Sequence, residues 1–228
     1  MFTNAIVRTP GRSIVEGLSN SKTLGLPNYE QAIIQHQSYI DALTKCGLDV
    51  YVLEPCEEYP DSTFVEDVAL ITPNCAIITR PGAPSRRGEV HEIEFVLKQR
   101  FNNVEEIEAP GTIDGGDIMM VGAHYFIGLS ERTNLEGAKQ IIQILKQYGL
   151  SGSTISLKKV LHLKTGLSYL EENNLVVCGE FIDESSLGQY NPIEIPEKES
   201  YAANCIWVNG SVIIPLGYPT TKQRIKNA

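Results

Sequence analysis

Three short stretches concentrate groups able to do ionic and acid–base chemistry. Asp61, Glu66 and Asp67 lie in PDSTFVED, Asp114 and Asp117 in TIDGGD, and His162 in LHLKTG. Two glycines beside an acid let backbone come close to a ligand. Clustered carboxylates suit a guanidinium or an amine, because acid–guanidinium pairing is strong and directional. A neighbouring histidine can move protons near neutral pH. Each stretch taken alone has a plainer reading. DGGD is a turn, the three acids are a solvated edge, and one histidine on an apolar-flanked segment is a core or surface group. Arg86, Arg87 and Arg132 sit in loops, where surface ion pairing is the default. Their joint placement in a repeat is what singles these residues out.

The repeat is a hairpin, a helix and a strand. A short apolar strand follows a polar or glycine-containing start, then a tight turn, then a second apolar strand. The copies are Glu66-Asp67 with VALI, TPN and CAIITRP; Gly116-Asp117 with IMMV, GAH and YFIGLSERT; Thr165-Gly166 with LSYL, EEN and NLVVCGEF; and Ala203-Asn204 with CIWV, NGS and VIIPLGYP. Such turns between apolar runs read as β-hairpins. Asp67 and Asp117 are 50 residues apart, as are Gly116 and Gly166, and a period of that size means structural modules. Helical patterns follow at Tyr29 to Lys45, Glu89 to Arg100 and Leu135 to Tyr148, with single strands at 49–53, 104–110, 153–157 and 192–196. The helix before the last of these strands is replaced by a short segment near Glu184 to Gly188. The starts of the first hairpin strands are predicted to point at a common axis, which brings the acids and the histidine together.

Residues 4–10, NAIVRTP, resemble the second strand of a hairpin without the first, and the chain ends on TTKQRIKNA, which reads as the start of a helix. The period places a further helix end, strand and closing hairpin strand, roughly 20 to 30 residues, after Ala228. The expectation is therefore one α/β domain over 1–228, a propeller of hairpin–helix–strand modules whose last module is incomplete. Strand 4–8 is expected to present an open edge, which favours aggregation or pairing with another copy.

Composition narrows the function classes. The 228 residues are 42% hydrophobic and 21% charged, an ordinary globular make-up. A net charge of −9 argues against nucleic acid or an anionic membrane as the main partner. No apolar run approaches the ~18 residues of a membrane span. The N-terminus lacks the pattern of a signal peptide. Five cysteines, with no CxxC pair, point to free thiols in the cytoplasm. The four histidines show no metal-ligand spacing. Cys75, Cys178 and Cys205 are apolar-flanked and read as buried structural thiols, and Cys46 and Cys56 have no base nearby in sequence.

Together, FVED, RPGAPSRRGE, APGTIDGGDIMMVG, ERTN, HLKTG and AANCIWVN resemble the dimethylarginine dimethylaminohydrolases of bacterial type, within the guanidino-group-modifying superfamily. The resemblance runs from Met1 to Ala228. It implies a five-bladed α/β propeller and hydrolysis of asymmetric dimethylarginine or monomethylarginine to citrulline and an alkylamine. It implies attack by a cysteine through a covalent thiouronium, no metal and no organic cofactor, a small-molecule substrate and the family habit of a homodimer. His162 matches the general acid/base, and Asp114 the acid that orients it or holds the site's hydrogen bonds. Asp61, Glu66 and Asp67 match the acids that grip the guanidino nitrogens. Arg86 and Arg132 match the pair that holds the substrate α-carboxylate. Leu18, in VEGLSN, matches a lid given mobility by Gly17 and Gly25, and Phe64 packs against it. The family nucleophile lies on the first strand of the last hairpin, which is expected beyond residue 228, and none of the five cysteines matches its motif. A catalytically inactive binder of arginine derivatives and an arginine deiminase are the alternatives. The second is disfavoured because deiminases carry extra helical insertions for which this chain has no room.

Overall fold

The computed structural model describes residues 1–19 and 25–228. Its strands are β1 (Asn4–Arg8), β2 (Asp49–Leu53), β3 (Ala69–Ile71), β4 (Ala76–Ile78), β5 (Val104–Glu106), β6 (Ile118–Val121), β7 (His124–Leu129), β8 (Ser151–Ser156), β9 (Leu167–Tyr169), β10 (Asn174–Val177), β11 (Asn191–Glu194), β12 (Ile206–Val208) and β13 (Ser211–Ile213). The helices are α1 (Tyr29–Lys45), α2 (Val90–Lys98), α3 (Leu135–Gln147), the single turn α4 (Leu163–Gly166) and α5 (Pro219–Asn227).

The strands form five separate sheets, none of them closed. Three are complete copies of one unit. β3 and β4 form a hairpin and β5 returns parallel to β4. β6, β7 and β8 repeat this, and so do β9, β10 and β11. β1 pairs in parallel with β2, the relation of the second and third strands of the unit. Among the described residues β1 pairs with β2 alone. β12 and β13 form the fourth hairpin, which is the fifth sheet. Its loop is the two residues Asn209 (φ 50°) and Gly210 (φ 85°), both left-handed. That pair matches the twist of a tight hairpin.

Local sequence explains the helices. Asn28 accepts the N–H of Gln31 and Asn134 that of Gly137, so each caps the helix that follows. Glycine follows α3 at Gly149 with φ 76°, which ends the helix. Several boundaries differ from expectation, β8 (151–156 against 153–157) and β11 (191–194 against 192–196) among them, and two have a definite cause. The segment from Pro84 to Glu89 is a 3-10 turn, and α2 starts only at Val90. The tighter turn sets Arg86 and Glu89, three residues apart, one above the other. β5 stops at Glu106 rather than 110, because the N–H of Glu108 goes to the side chain of Gln140 and Pro110 has none to give.

The core is a series of apolar layers between neighbouring units. Ala138, Ile141 and Leu145 of α3 pack against Ile77 of one sheet and Ile118, Tyr125 and Ile127 of the next, all fully or nearly fully buried. Each of the isoleucines and the leucine contributes about 1.5–3 kcal/mol by burial. Val7 of β1 shares a layer with Val208 of β12. Asn209 bonds both the N–H and the carbonyl of Phe2, so the first and last sheets lie side by side. None of the described helices is long and apolar enough to cross a membrane.

Candidate active site

A helical turn precedes the first strand of four hairpins: Val65–Val68, Gly115–Asp117, α4, and Glu197–Ala203. These turns pack on one another, so residues 50 to 100 apart in sequence meet at one end of the sheets. One atom each of Asp67, Asp114 and His162 lies within 4.8 Å of the other two. The convergence read from the repeat is therefore present.

The glycines of TIDGGD make it possible. A methyl group on Gly115 would lie 1.9 Å from the carbonyl oxygen of Glu66. One on Gly116 would meet both Asp67 and the ring of His162 at 3.0 Å. Gly115→Ala is expected to destabilise the fold by about 1–3 kcal/mol through this overlap. A thermal melt indistinguishable from that of the parent would contradict it.

Asp67 is buried. Its Oδ1 accepts the N–H of Gly116 at 2.9 Å and its Oδ2 accepts from Nη1 of Arg86 at 2.6 Å. Each oxygen keeps capacity for a further donor. Glu66 projects to the rim, half-exposed, and accepts from Nζ of Lys164 at 2.6 Å.

Arg86 lies beside the acids of the site. It is 6% exposed. Its Nε and Nη2 donate to Glu89, Nη1 donates to Asp67, and Nη2 also reaches the carbonyls of Asp61 and Phe64. Burial opposes the charge, but Glu89 and Asp67 more than offset it and hold the guanidinium protonated. All three nitrogens donate to groups of the protein, and one N–H of Nη1 has no partner among the described residues. Arg132 is half-buried; its backbone lies against Gly82, where an added methyl would come within 2.3 Å of the Arg132 carbonyl oxygen. Arg87 is half-buried on the same loop, its Nε on the carbonyl of Pro81.

Both oxygens of Asp61 accept the N–H of Leu18, at 3.0 and 3.1 Å, so it clasps the segment read as a lid. Leu18 and Phe64 are 51% and 54% exposed, two apolar side chains facing out beside the acids. Residue 20 of the lid motif lies outside the described residues, and Gly25 has φ 76°.

His162 caps α4, its ring mostly buried. Burial alone would lower its pKa, but the carboxylates of Asp117, Asp67 and Asp114 outweigh this and raise it above the usual 6.5. The acid nearest its Nδ1 is Asp117 Oδ1, at 3.4 Å, not Asp114. Asp114 accepts the N–H of Gly82 at 2.8 Å. Burial pushes its carboxyl up, against the opposing pull of that bond and of His162. Asp114 and Asp117 both stand beside the histidine, Asp114 as one of the three groups within 4.8 Å of one another and Asp117 nearest to Nδ1.

The five cysteines are unpaired. Burial pushes the thiols of Cys75 and Cys178 up, and that of Cys205 up to about 11, so these stay protonated and poorly nucleophilic at neutral pH.

Comparison with known proteins agrees with this geometry. A family model described as N,N dimethylarginine dimethylhydrolase, eukaryotic, matches residues 21–213. The N(G),N(G)-dimethylarginine dimethylaminohydrolase of Pseudomonas aeruginosa is 59% identical over 227 residues, 99% of this chain and 89% of that protein. The Streptomyces coelicolor protein of the same name is 31% identical over 92% of this chain and 80% of its own. A crystal structure of the Pseudomonas enzyme, a cysteine-to-serine variant complexed with citrulline, superposes with TM-score 0.97 at 56% identity, covering 100% of this chain and 89% of that one. The N-terminal domain of the cyanobacterial arginine dihydrolase ArgZ matches at 18% identity with TM-score 0.87, over 99% of this chain and 88% of that one, and shows the fold alone. Fold and site thus define an α/β protein of the amidinotransferase class. Within that class, the chain belongs to the dimethylarginine dimethylaminohydrolase family.

Proposed function

We propose that the protein hydrolyses Nω-methylated arginines, asymmetric dimethylarginine and monomethylarginine, to citrulline and an alkylamine. The observation that carries this is His162, buried, proton-retaining and ringed by Asp67, Asp114 and Asp117. A cysteine thiolate attacks the guanidino carbon, and the C–N bond to the alkylated nitrogen breaks. The leaving amine takes a proton from His162. Water then gives a proton to His162 and attacks the thiouronium carbon; the C–S bond breaks and citrulline leaves. Asp67 and Glu66 receive the guanidino nitrogens, Arg132 holds the α-carboxylate, and Leu18 and Phe64 cover the ligand. In this reading the attacking cysteine is expected beyond residue 228, as the resemblance to the family implies. The raised pKa values of Cys75, Cys178 and Cys205 agree with this placement.

The architecture that serves this chemistry is one domain, five blades around a single axis. The contacts of Asn209 with Phe2 and of Val208 with Val7 support that closure. A cytoplasmic setting fits five unpaired thiols. A homodimer belongs to the same proposal and is checked by light scattering.

Incubation with dimethylarginine, monomethylarginine and arginine tests the activity. Citrulline and alkylamine are expected from the first two. Turnover of arginine alone overturns the substrate assignment. A second reading, an inactive binder of arginine derivatives, is favoured by the absence of any hydrogen bond or ion pair between a cysteine and His162 among the described residues. Saturable citrulline binding without any turnover of methylated arginines selects it.

A further inference from the structure

The segment that leads into His162 has little packing of its own. Lys158, Lys159 and Leu161 are exposed, and the segment borders a cavity of about 610 Å³ shared with Ser130 and Thr133. Three consecutive backbone N–H groups there nevertheless converge on one side chain. Oε2 of Glu180 accepts from Lys158 at 2.9 Å, and Oε1 accepts from Lys159 at 2.9 Å and from Val160 at 3.1 Å. Successive amides aimed at one point form a nest for an anion, and the charge on the acceptor strengthens each bond. Neither lysine side chain makes an ion pair among the described residues, so the nest without its carboxylate is electropositive.

Glu180 reaches the nest from the 3-10 turn Gly179–Phe181. The same turn holds the other side of the histidine. The buried ring of Phe181 lies so close to Gly166 of α4 that a methyl added there would meet it at 2.9 Å. The N–H of Cys178 donates to the carbonyl of Gly166 at 2.9 Å. The residues just before His162 and those just after it are thus tied to one turn. The packed side is fixed by Phe181, and the open side by the carboxylate of Glu180.

We propose that Glu180 is a positioning residue for the reaction. Its carboxylate is an internal anion that fixes residues 158–160 and with them the place of His162, and the nest it vacates on truncation takes a small carboxylate from solvent. A misplacement of about 1 Å at a reacting group costs on the order of a hundredfold in rate, so a side chain that never touches substrate can govern kcat. The proposal rests on His162 being the acid–base group, and its test separates the two.

Glu180→Ala is expected to lower kcat for dimethylarginine about ten- to a hundredfold, with KM little changed. Sodium acetate should restore the rate saturably, and sodium chloride of the same ionic strength should not. Glu180→Gln keeps one oxygen where Oε1 takes two of the three bonds, so it should retain most of kcat. Amide exchange followed by NMR reads the nest directly. In the parent the amides of Lys158, Lys159 and Val160 should exchange slowly. In Glu180→Ala they should exchange fast and slow again with acetate, and the ring signals of His162 should move and return with them. A parent-like kcat in Glu180→Ala overturns the proposal. So does a loss that acetate leaves untouched, or free exchange of these amides in the parent. If Glu180→Ala does not fold, Glu180→Gln decides: faster exchange at Lys158 alone supports the proposal, and no change at any of the three overturns it. If the parent forms no citrulline, the hydrolase reading fails, and the amide and ring signals decide this one.

Discussion

Arg86→Ala is expected to cost about 3–5 kcal/mol of folding stability, the loss typical of breaking a buried ion pair from one side. The arginine lies between Asp67 at 2.6 Å and Glu89 at 2.7 Å, and all three side chains are at most one-tenth exposed. Alanine leaves two buried carboxylates facing a space that no cation fills. The carbonyls of Asp61 and Phe64 lose their donor as well. The loss should depend on pH in a definite sense. Burial already pushes the Glu89 carboxyl above 4.5, with Arg86 opposing the rise. Without Arg86 the folded-state pKa climbs further, so the folded variant binds more protons than the unfolded chain. Its stability then falls as pH rises from the unfolded value near 4.5 through the folded one. Urea unfolding at pH 5 and pH 7 measures this. A variant that loses less than ~1 kcal/mol at pH 7, or is worse at pH 5, contradicts the buried-network account.

His162→Asn should lower kcat for methylated arginines by about a hundred- to ten-thousand-fold, the range typical of a lost general acid or base. Asparagine keeps polarity and approximate size but cannot shuttle a proton, so KM should change far less than kcat. The protonated ring delivers the proton to the leaving amine. Activity on this limb is therefore full below the histidine's folded pKa and lost as pH rises through it. Asp117, Asp67 and Asp114 overcome the effect of burial and raise that pKa, so the descending limb of kcat/KM belongs above pH 6.5. The variant's residual activity should lack that limb. A limb that persists unchanged in His162→Asn assigns it to another group and removes His162 from the acid role.

Much of the fold is legible in the chain because its determinants are local. The helix predicted for Tyr29 to Lys45 and the strand at 49–53 appear with those boundaries, since an asparagine cap and a short β-branched and aromatic run act over a few residues. The four hairpins follow from turn chemistry and apolar runs, and the period near 50 makes each unit's placement consistent with the others. Boundaries shifted where a distant group intervened. Gln140 ends β5 by taking a backbone N–H 32 residues away.

The site divides in the same way. Residue types and their place in the repeat determined that acids, glycines and one histidine would gather where the hairpins begin, and they do. Sequence could not allot partners among them, because an acid's role depends on which donors its oxygens meet, and those come from other units. Asp61 meets Leu18 across 43 positions, and Asp67 meets Gly116 across 49. Asp114 and Asp117 differ by one short turn in the chain, yet one faces Gly82 and the other His162 and Leu163. Arg86 carries the same charge as Arg132, but burial beside two carboxylates commits it to the scaffold, while Arg132 makes no side-chain ion pair among the described residues. Charge and spacing are properties of the chain. Burial, and the choice of partner it forces on each charge, arise only when the units pack.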